Sequence, residues 1–269
     1  LVNGAAPKLS MLVVNYEQVY ISPYKCKKYS YVIYNIYTCP MSIGNLLKAT
    51  VYASLIIQIL TGIGNVWVLQ YKTSAESKIL RELIYTELAV QLVEVIFYFW
   101  LAYNFLQVKN ITPKRYYDWM FTTPTMLITL IGYFVYIRYK NTAKYTGTLD
   151  LTYLLKTEGI LILIVCILNA LMLISGYLGE VGILNTLTSV SIGFIFFSIY
   201  FYLIYENYVK GVDGTLSVFS LFVFLWSLYG IAAMMPYEWK NMWYNILDLF
   251  SKNFFGVFLT YVLYKEYIK

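Results

Sequence analysis

Residues 243–268 read WYNILDLFSKNFFGVFLTYVLYKEYI, and this stretch decides the fold. It is long and apolar enough to cross a bilayer, which takes about 20 mostly apolar helical residues. Asp248 and Lys252 lie near its middle, four residues apart, so a helix places them on one face. A charge at that depth costs at least about 2.5–3.5 kcal/mol, which makes it a functional-site hypothesis by default. Desolvation favours the neutral amine of Lys252, the form that condenses with a carbonyl compound. A structural ion pair is the alternative interpretation.

Composition places the chain among multi-pass membrane proteins. Of its 269 residues, 60% are hydrophobic and only 13% are charged, against about 45–50% and about 25% in a soluble domain. Seven apolar runs are long enough to span a bilayer, at residues 43–70, 80–106, 117–137, 155–178, 182–205, 216–235 and 243–267. Because the connections are short, we predict an all-α fold, a seven-transmembrane helix bundle over residues 43–269, and no enzyme.

Basic residues near the helix ends predict the orientation, since cytoplasmic loops carry an excess of Lys and Arg. With the amino terminus outside and the carboxyl terminus in the cytoplasm, the inner side holds Lys72, Lys78, Arg81, Arg138, Lys140, Lys144, Lys156, Lys210, Lys265 and Lys269. The short outer loops then hold only Lys109, Lys114 and Lys240, with Lys48 at the start of the first run. This bias explains the net charge of +6 without a nucleic-acid partner. The absence of histidine excludes any catalytic triad or metal site that requires one.

Residues 1–42 form a tyrosine-rich segment that we predict to be an extracellular extension. Residues 1–10 (LVNGAAPKLS) precede a methionine, as expected of a vector-derived remnant. A disulfide is permitted outside the cell, so Cys26 and Cys39 could pair with each other, pair across a subunit interface, or stay free. Cys166, in the fourth run, is predicted to be a small core residue.

The third run carries a second group of polar residues, in RYYDWMFTTPTMLITL at 115–130. Arg115, Asp118 and Thr122 are separated by three and four positions and therefore share one helix face. In one interpretation Arg115 is an interfacial anchor and Asp118 its ion-pair partner. In the other, Asp118 and Asp248 are two acids that face the buried amine, with Arg115 balancing their charge.

Polar residues also follow one face of each of the first two runs. Both stripes have the spacing i, i+4, i+7, i+11, with Ser54, Gln58, Thr61 and Asn65 in the first and Glu87, Gln91, Glu94 and Tyr98 in the second. At membrane depth such residues face the bundle interior or a water-filled cavity. They are either hydrogen-bonded contacts between helices or the lining of a cation pathway, which is commonly built from acidic groups.

Three motifs make the chain resemble the microbial (type 1) rhodopsins. RYYDWMFTTP at 115–124 resembles the family's arginine–aspartate–tryptophan–threonine–proline pattern on the third helix. LWSLYG at 225–230 resembles its tryptophan–x–x–tyrosine pocket wall, and DLFSKNFFG at 248–256 its aspartate–x–x–x–lysine segment. The glutamates of the second run resemble those of the channelrhodopsin branch, and the composition suits a viral-type member. The resemblance implies a homo-oligomer embedded in a lipid membrane.

The resemblance also implies roles for individual residues. Lys252 would carry all-trans retinal as a protonated Schiff base. Asp118 would be the principal counterion and first proton acceptor, Asp248 the second counterion, and Arg115 part of the same charged cluster. Two carboxylates near the Schiff base favour its charged form. The remaining retinal-binding residues would be Trp119, Thr122, Thr123, Met126, Trp226 and Tyr229.

One departure from the family pattern bears on function. Thr129 stands where many outward proton pumps have a carboxylate donor, so fast pumping is not expected. We therefore predict a light-gated channel for monovalent cations or protons, in which Glu87 and Glu94 line the path and the charged cluster forms the gate. One alternative is a slow outward proton pump. Another is a sensory photoreceptor with a separate transducer.

Overall fold

The structure is a computed structural model that describes residues 18–21, 24–31, 34–38, 43–75, 77–105, 110–142 and 147–268. The chain divides into two compact units, residues 1–46 and residues 47–269. Several features of the sequence lie outside the described residues, namely residues 1–10, Cys39, Lys109, Lys144 and Lys269.

The first unit contains a three-stranded antiparallel sheet in the order β1–β2–β3. Its strands are β1 (Gln18–Ile21), β2 (Tyr24–Tyr31) and β3 (Tyr34–Thr38). Lys27 of β2 pairs with Gln18 of β1 and with Thr38 of β3, while Cys26 pairs with Val19. The sequence analysis did not predict this sheet, although Tyr, Ile and Val favour strands and two-residue separations are typical of hairpins.

Eight α-helices and two π-helical turns follow the sheet. They are α1 (Ile43–Val68), α2 (Lys78–Asn104), α3 (Thr112–Thr142), α4 (Leu151–Glu180), α5 (Thr186–Ile204) with a π-helical turn at Tyr205–Val209, α6 (Leu216–Ala233), α7 (Tyr237–Asp248), a second π-helical turn at Leu249–Asn253, and α8 (Phe254–Tyr267). The second turn joins α7 and α8 into one span. The described residues therefore contain seven helices long and apolar enough to cross a membrane, and the predicted seven-transmembrane bundle is confirmed.

The third and seventh spans each begin at least five residues before their apolar runs. The third extends over Thr112–Thr142 and the seventh over Tyr237–Tyr267. Hydropathy marks only the apolar part of a helix, and the polar first turns of both spans are helical as well. This extension is important because it places Arg115, near the start of α3, inside the bundle rather than at its edge.

Side chains from the preceding loops cap two of the helices. Asp150 accepts the backbone N–H of Tyr153 at the start of α4, and Asn185 accepts that of Thr188 at the start of α5. The pKa of the Asp150 carboxyl is lowered, first by the hydrogen bond from Tyr153 and then by the Lys78 ammonium 2.9 Å away. The same aspartate therefore caps α4 and ties it to the start of α2.

Apolar side chains cover the outside of the bundle and polar ones lie within it. Leu92, Phe99, Ile160 and Leu187 are each more than 60% exposed, as expected of a lipid-facing surface. Both predicted polar stripes, on α1 and on α2, are buried. The helix with the largest buried share is α3, with 67% of its most apolar window buried. Polar residues in the interior of a membrane bundle mark a functional site.

Candidate functional site

Lys252 lies in the π-helical turn Leu249–Asn253 that interrupts the seventh span. A π-helical turn widens the helix locally, and such turns occur frequently at functional sites. The lysine is only 2% exposed, so its amine is held inside the bundle.

Three buried carboxylates surround the Lys252 amine. The Nζ atom lies 2.6 Å from Glu94 Oε1, 2.9 Å from Asp118 Oδ2 and 3.6 Å from Asp248 Oδ1. The sequence predicted that Asp118 and Asp248 face the amine, and the structure places both there. It also brings in Glu94 from α2, for which we had predicted only a place in the cation path. A buried ammonium needs opposite charge close by, because its desolvation otherwise costs several kcal/mol.

The carboxylates form an ion-paired site rather than a metal site. One oxygen from each of Glu94, Asp118 and Asp248 lies within 4.8 Å of the others, a spacing that could hold a cation. The Lys252 amine, however, contacts all three and already supplies positive charge between them.

Arg115 extends the cluster along α7. Its guanidinium is fully buried and lies 3.6 Å from Asp248 Oδ2. Arg115 Nε donates to Asn241 Oδ1 at 3.0 Å, Nη2 donates to Asn245 Oδ1, and Nη1 donates to the Tyr98 hydroxyl at 3.3 Å. Neither asparagine was predicted from the sequence as a site residue. Their signal was the spacing of Asn241, Asn245 and Asp248 on one face of α7.

Two tyrosines fix the position of the Asp248 carboxylate. Tyr98 donates to Oδ2 at 2.6 Å, and Tyr229 donates to Oδ1 at 2.7 Å. The Tyr229 hydroxyl also shares a 2.7 Å hydrogen bond with Ser251. Both oxygens of Asp248 are therefore satisfied. Glu94 Oε1 contacts only the Lys252 amine, and Asp118 Oδ1 and Glu94 Oε2 have no hydrogen-bond partner among the described residues.

An apolar cavity of about 770 Å³, counted to include its open mouth, adjoins the Lys252 side chain. It is lined by Tyr116, Trp119, Thr123, Met172, Leu173, Gly176, Ser189, Val190, Gly193, Phe194, Phe197, Trp226, Tyr229, Gly230, Ala233, Tyr244, Ser251 and Lys252. The walls are mostly apolar or aromatic, and the charged group on them is the lysine amine. Such a cavity fits a long apolar ligand that has one group able to react with an amine.

Four of the six side chains predicted to bind retinal, besides Lys252, line this cavity, and two do not. Trp119, Thr123, Trp226 and Tyr229 line the cavity. Thr122 and Met126 are buried on α3 but do not line it. The Thr122 hydroxyl instead donates to the carbonyl of Asp118 at 3.1 Å, and Met126 packs in the main apolar core.

Thr123 links the cavity wall to α4. Its hydroxyl donates to the Trp119 carbonyl at 2.8 Å and accepts the side-chain N–H of Asn169 at 2.7 Å. The bond from Asn169 joins α4 to α3 one turn after Trp119, next to Pro124, which removes a backbone donor from α3.

The polar stripes of α1 and α2 contain many atoms without a partner. Among the described residues, no hydrogen bond reaches either polar atom of the side chains of Gln58, Glu87 and Gln91, the Nδ2 atom of Asn65, or the Oδ1 atom of Asn253. Buried polar atoms are normally hydrogen-bonded to protein or to ordered water. These side chains therefore form a buried polar surface in the interior of the bundle.

Glu87 lies beside Thr129, the residue that departs from the pumps' pattern. Thr129 shares a 3.0 Å hydrogen bond with Thr86 and donates to the Thr125 carbonyl at 2.9 Å. Position 129 on α3 thus has no carboxylate of its own, but the carboxylate of Glu87 on α2 lies beside it.

Residues 46–266 match the sequence model of the bacteriorhodopsin-like proteins, which covers most of the chain. The chain belongs to this family. The predicted resemblance to microbial rhodopsins is thereby confirmed, and membership implies retinal bound to a lysine through a Schiff base. No curated protein sequence matches the chain.

Solved structures with different transport activities share this fold. Viral rhodopsin OLPVRII is 27% identical, with a TM-score of 0.70 over 82% of this chain and 98% of that one. The proton-pumping rhodopsin AR2 from the marine alga Acetabularia acetabulum is 17% identical, with a TM-score of 0.63 over 83% and 97% of the two chains. Halorhodopsin, a light-driven chloride pump, is 16% identical, with a TM-score of 0.61 over 82% and 96%. The fold alone therefore does not decide which ion is moved.

Proposed function

We propose that this protein is a light-gated cation channel in which Lys252 carries all-trans retinal as a protonated Schiff base. The observation that carries the proposal is the buried polar stripes of α1 and α2, in which many side-chain atoms have no hydrogen-bond partner among the described residues. A light-driven pump needs only a proton or ion relay, whereas a channel needs a hydrated route lined by groups that can replace water around a cation.

The cavity supports Lys252 as the attachment site. Among the residues that line the cavity, Lys252 is the one lysine. The aromatic rings of Trp119 and Trp226 form part of the same walls. Retinal, when bound there, supplies visible-light absorption and an isomerisation that reorients the Schiff-base N–H. Trp119, Thr123, Trp226 and Tyr229 would hold the apolar chain of retinal, and the buried position of Nζ would exclude bulk water from the linkage.

The carboxylates around Nζ divide into one fixed counterion and two proton acceptors. Asp248 already accepts hydrogen bonds from Tyr98 and Tyr229, one on each oxygen, so its carboxylate is held in place. Asp118 Oδ2 and Glu94 Oε1 lie 2.9 Å and 2.6 Å from Nζ, and the second oxygen of each carboxylate has no donor among the described residues. A proton that leaves Nζ therefore has two acceptors, Asp118, which the resemblance predicts, and Glu94, which the geometry adds.

Glu94 couples this cluster to the proposed conducting path. It belongs both to the charged cluster and to the polar stripe of α2, because its carboxylate pairs with Lys252. Loss of the positive charge at Nζ releases Glu94 from its ion pair, and the stripe then changes its charge and hydration. Glu87, seven residues or about 10 Å further along α2, would supply a second acidic group that attracts cations.

Voltage clamp under illumination tests the proposal. A channel current reverses sign at a potential that follows the cation gradient, whereas a pump current stays outward over the accessible voltages. We expect Glu87→Gln and Glu94→Gln each to lower the cation conductance or change its selectivity several-fold. Glu206→Gln is the matched control, since Glu206 is a partly exposed residue paired with Lys210. If both buried variants behaved like the control, the assignment of the path would be wrong.

One observation favours an outward proton pump as the second candidate. The carboxylate of Glu87 beside Thr129 could return a proton to Nζ after the first transfer. In that case Glu87→Gln would slow the turnover of an outward current without giving it a reversal potential.

The orientation and assembly of the protein also belong to the proposal. The basic residues at the helix ends support an amino terminus outside the cell, with residues 1–42 as an extracellular extension and the carboxyl terminus in the cytoplasm. A homo-oligomer is proposed from the family resemblance alone.

A further inference from the structure

A second apolar cavity, of about 650 Å³ counted to include its open mouth, lies between α6 and the seventh span. Leu221, Phe250 and Phe254 border it and are between 40% and 56% exposed. Trp226 and Ser251 form part of its buried side. The cavity thus leads from the lipid-facing surface of the bundle into the interior.

The same two buried residues line the main cavity beside Lys252. Trp226 and Ser251 are shared by both cavities, and Ser251 directly precedes Lys252 in the π-helical turn. The turn directs Phe250 to the surface while Ser251, the next residue, is buried. A single layer of side chains therefore separates the lipid-facing cavity from the main one.

The indole of Trp226 is held in this layer by packing. It contacts the ring of Phe222 at 5.6 Å and that of Phe201 at 6.1 Å between centroids. Its Nε1–H has no hydrogen-bond partner among the described residues. A side chain without such an anchor can change rotamer without breaking a buried hydrogen bond, which makes Trp226 the movable part of the wall.

We propose that the second cavity is a lateral portal through which retinal passes from the bilayer to Lys252. The side chain of Trp226 closes the inner end of the portal and moves aside when retinal enters. The inference rests on the proposed function, because it requires retinal at Lys252. Retinal is an apolar aldehyde that dissolves in lipid, and the portal is lined by aromatic and aliphatic side chains, with hydroxyl groups only on Ser217 and Ser251. The Lys252 amine is too deeply buried to meet the aldehyde from water.

The rate of pigment formation tests the portal. Protein produced without retinal is placed in lipid nanodiscs and mixed with all-trans retinal, and the growth of the visible band is followed. Leu221→Trp fills the mouth and is expected to slow this rate roughly tenfold, because entry then requires the packed side chains to move further. Ile231→Trp is the matched control. Ile231 is also on α6 and 45% exposed, but it lines neither cavity.

A second pair of variants tests the opposite change. Phe250→Ala widens the mouth and should raise the rate several-fold, while Phe224→Ala, at an equally exposed position of α6 outside the cavity, should leave it unchanged. The rate constant is read separately from the final amplitude, so a poorly folding variant loses amplitude and not rate.

If the two variants of each pair formed pigment at equal rates, the second cavity would not be the route of retinal entry. It would then be a site that binds a lipid acyl chain. A wild-type protein that forms no visible band would instead overturn the proposed function. If Leu221→Trp formed no pigment at all, the comparison of Phe250→Ala with Phe224→Ala would still decide the question.

Discussion

Glu94 approaches the Lys252 amine to 2.6 Å, closer than either aspartate. Negative charge beside the Schiff base stabilises the positive charge that it carries in the dark. Glu94→Gln removes one of the three charges, and we expect the visible band to move to longer wavelength, because the ground state loses more stabilisation than the excited state. An absorption spectrum of the purified pigment measures the shift.

Glu87→Gln is the control for this spectrum. Glu87 lies on the same stripe of α2 but is absent from the ion pairs of Lys252. Its replacement should leave the band nearly in place. A band that responded to Glu87 and not to Glu94 would contradict the position assigned to Glu94 in the cluster.

The side chain of Asn245 links Arg115 of α3 to Thr50 of α1 through hydrogen bonds. Its Oδ1 accepts from Arg115 and lies 3.2 Å from the Tyr98 hydroxyl oxygen, and its Nδ2 donates to Thr50 at 2.8 Å. Asn245→Ala leaves a buried guanidinium with one partner fewer, so we expect the free energy of unfolding to fall by about 1–3 kcal/mol. Thermal unfolding followed by circular dichroism measures it. Asn207→Ala, at an exposed position, should change it little, and equal losses in both variants would argue against the network.

The sequence predicted the face on which Glu94 lies but not the contact that it makes. The spacing of the stripe on α2 fixes which residues share a side of the helix. Which of them meets Lys252 depends on how far α2 is shifted and rotated against the seventh span, and packing decides that. For the same reason the resemblance did not predict that Thr122 and Met126 do not line the cavity beside Lys252.

At the scale of elements, Gly256 sets how closely α8 approaches α1. A Cβ at this position would lie 3.2 Å from both Asn65 Nδ2 and Thr61 Cγ2. The Asn65 side chain is held nearby by a 2.7 Å hydrogen bond from Thr260. We expect Gly256→Val to force the two helices apart and to lower the free energy of unfolding by about 1–3 kcal/mol.

The control for this variant is Gly64→Val. Gly64 lies on α1, and nothing comes within 4 Å of a Cβ built there. The two variants share the change of side chain and differ in the space available, and thermal unfolding compares them directly. If the Gly64 variant lost as much stability as the Gly256 variant, helix propensity rather than the α1–α8 contact would be the cause.

The sequence predicted elements only where one physical signal dominates. Lipid demands long apolar helices, so all seven spans could be located, although their polar first turns could not. The π-helical turn at Leu249–Asn253 has no such signal, since a local change from i→i+4 to i→i+5 hydrogen bonds leaves the hydropathy of the span unchanged. The three strands of the first unit are short and rich in tyrosine, and this composition did not distinguish them from an irregular segment.

At the scale of the whole molecule, the excess of basic residues on one side predicts the orientation. Lys114 lies at the start of α3 and Lys210 just after the π-helical turn that follows α5, and both are exposed. In a background with Cys26, Cys39 and Cys166 replaced by serine, we expect a membrane-impermeant thiol reagent added outside intact cells to label Lys114→Cys and not Lys210→Cys. The reverse pattern would place the amino terminus in the cytoplasm.

The central claim is that Lys252 carries retinal, and it is tested most directly by locating the modified residue. The pigment is reconstituted with all-trans retinal, the Schiff base is reduced with borohydride, and the peptides are analysed by mass spectrometry. We expect a retinyl group on the peptide that contains Lys252, and no visible pigment from Lys252→Ala. A retinyl group on another lysine, or a Lys252→Ala protein as coloured as the wild type, would contradict the account.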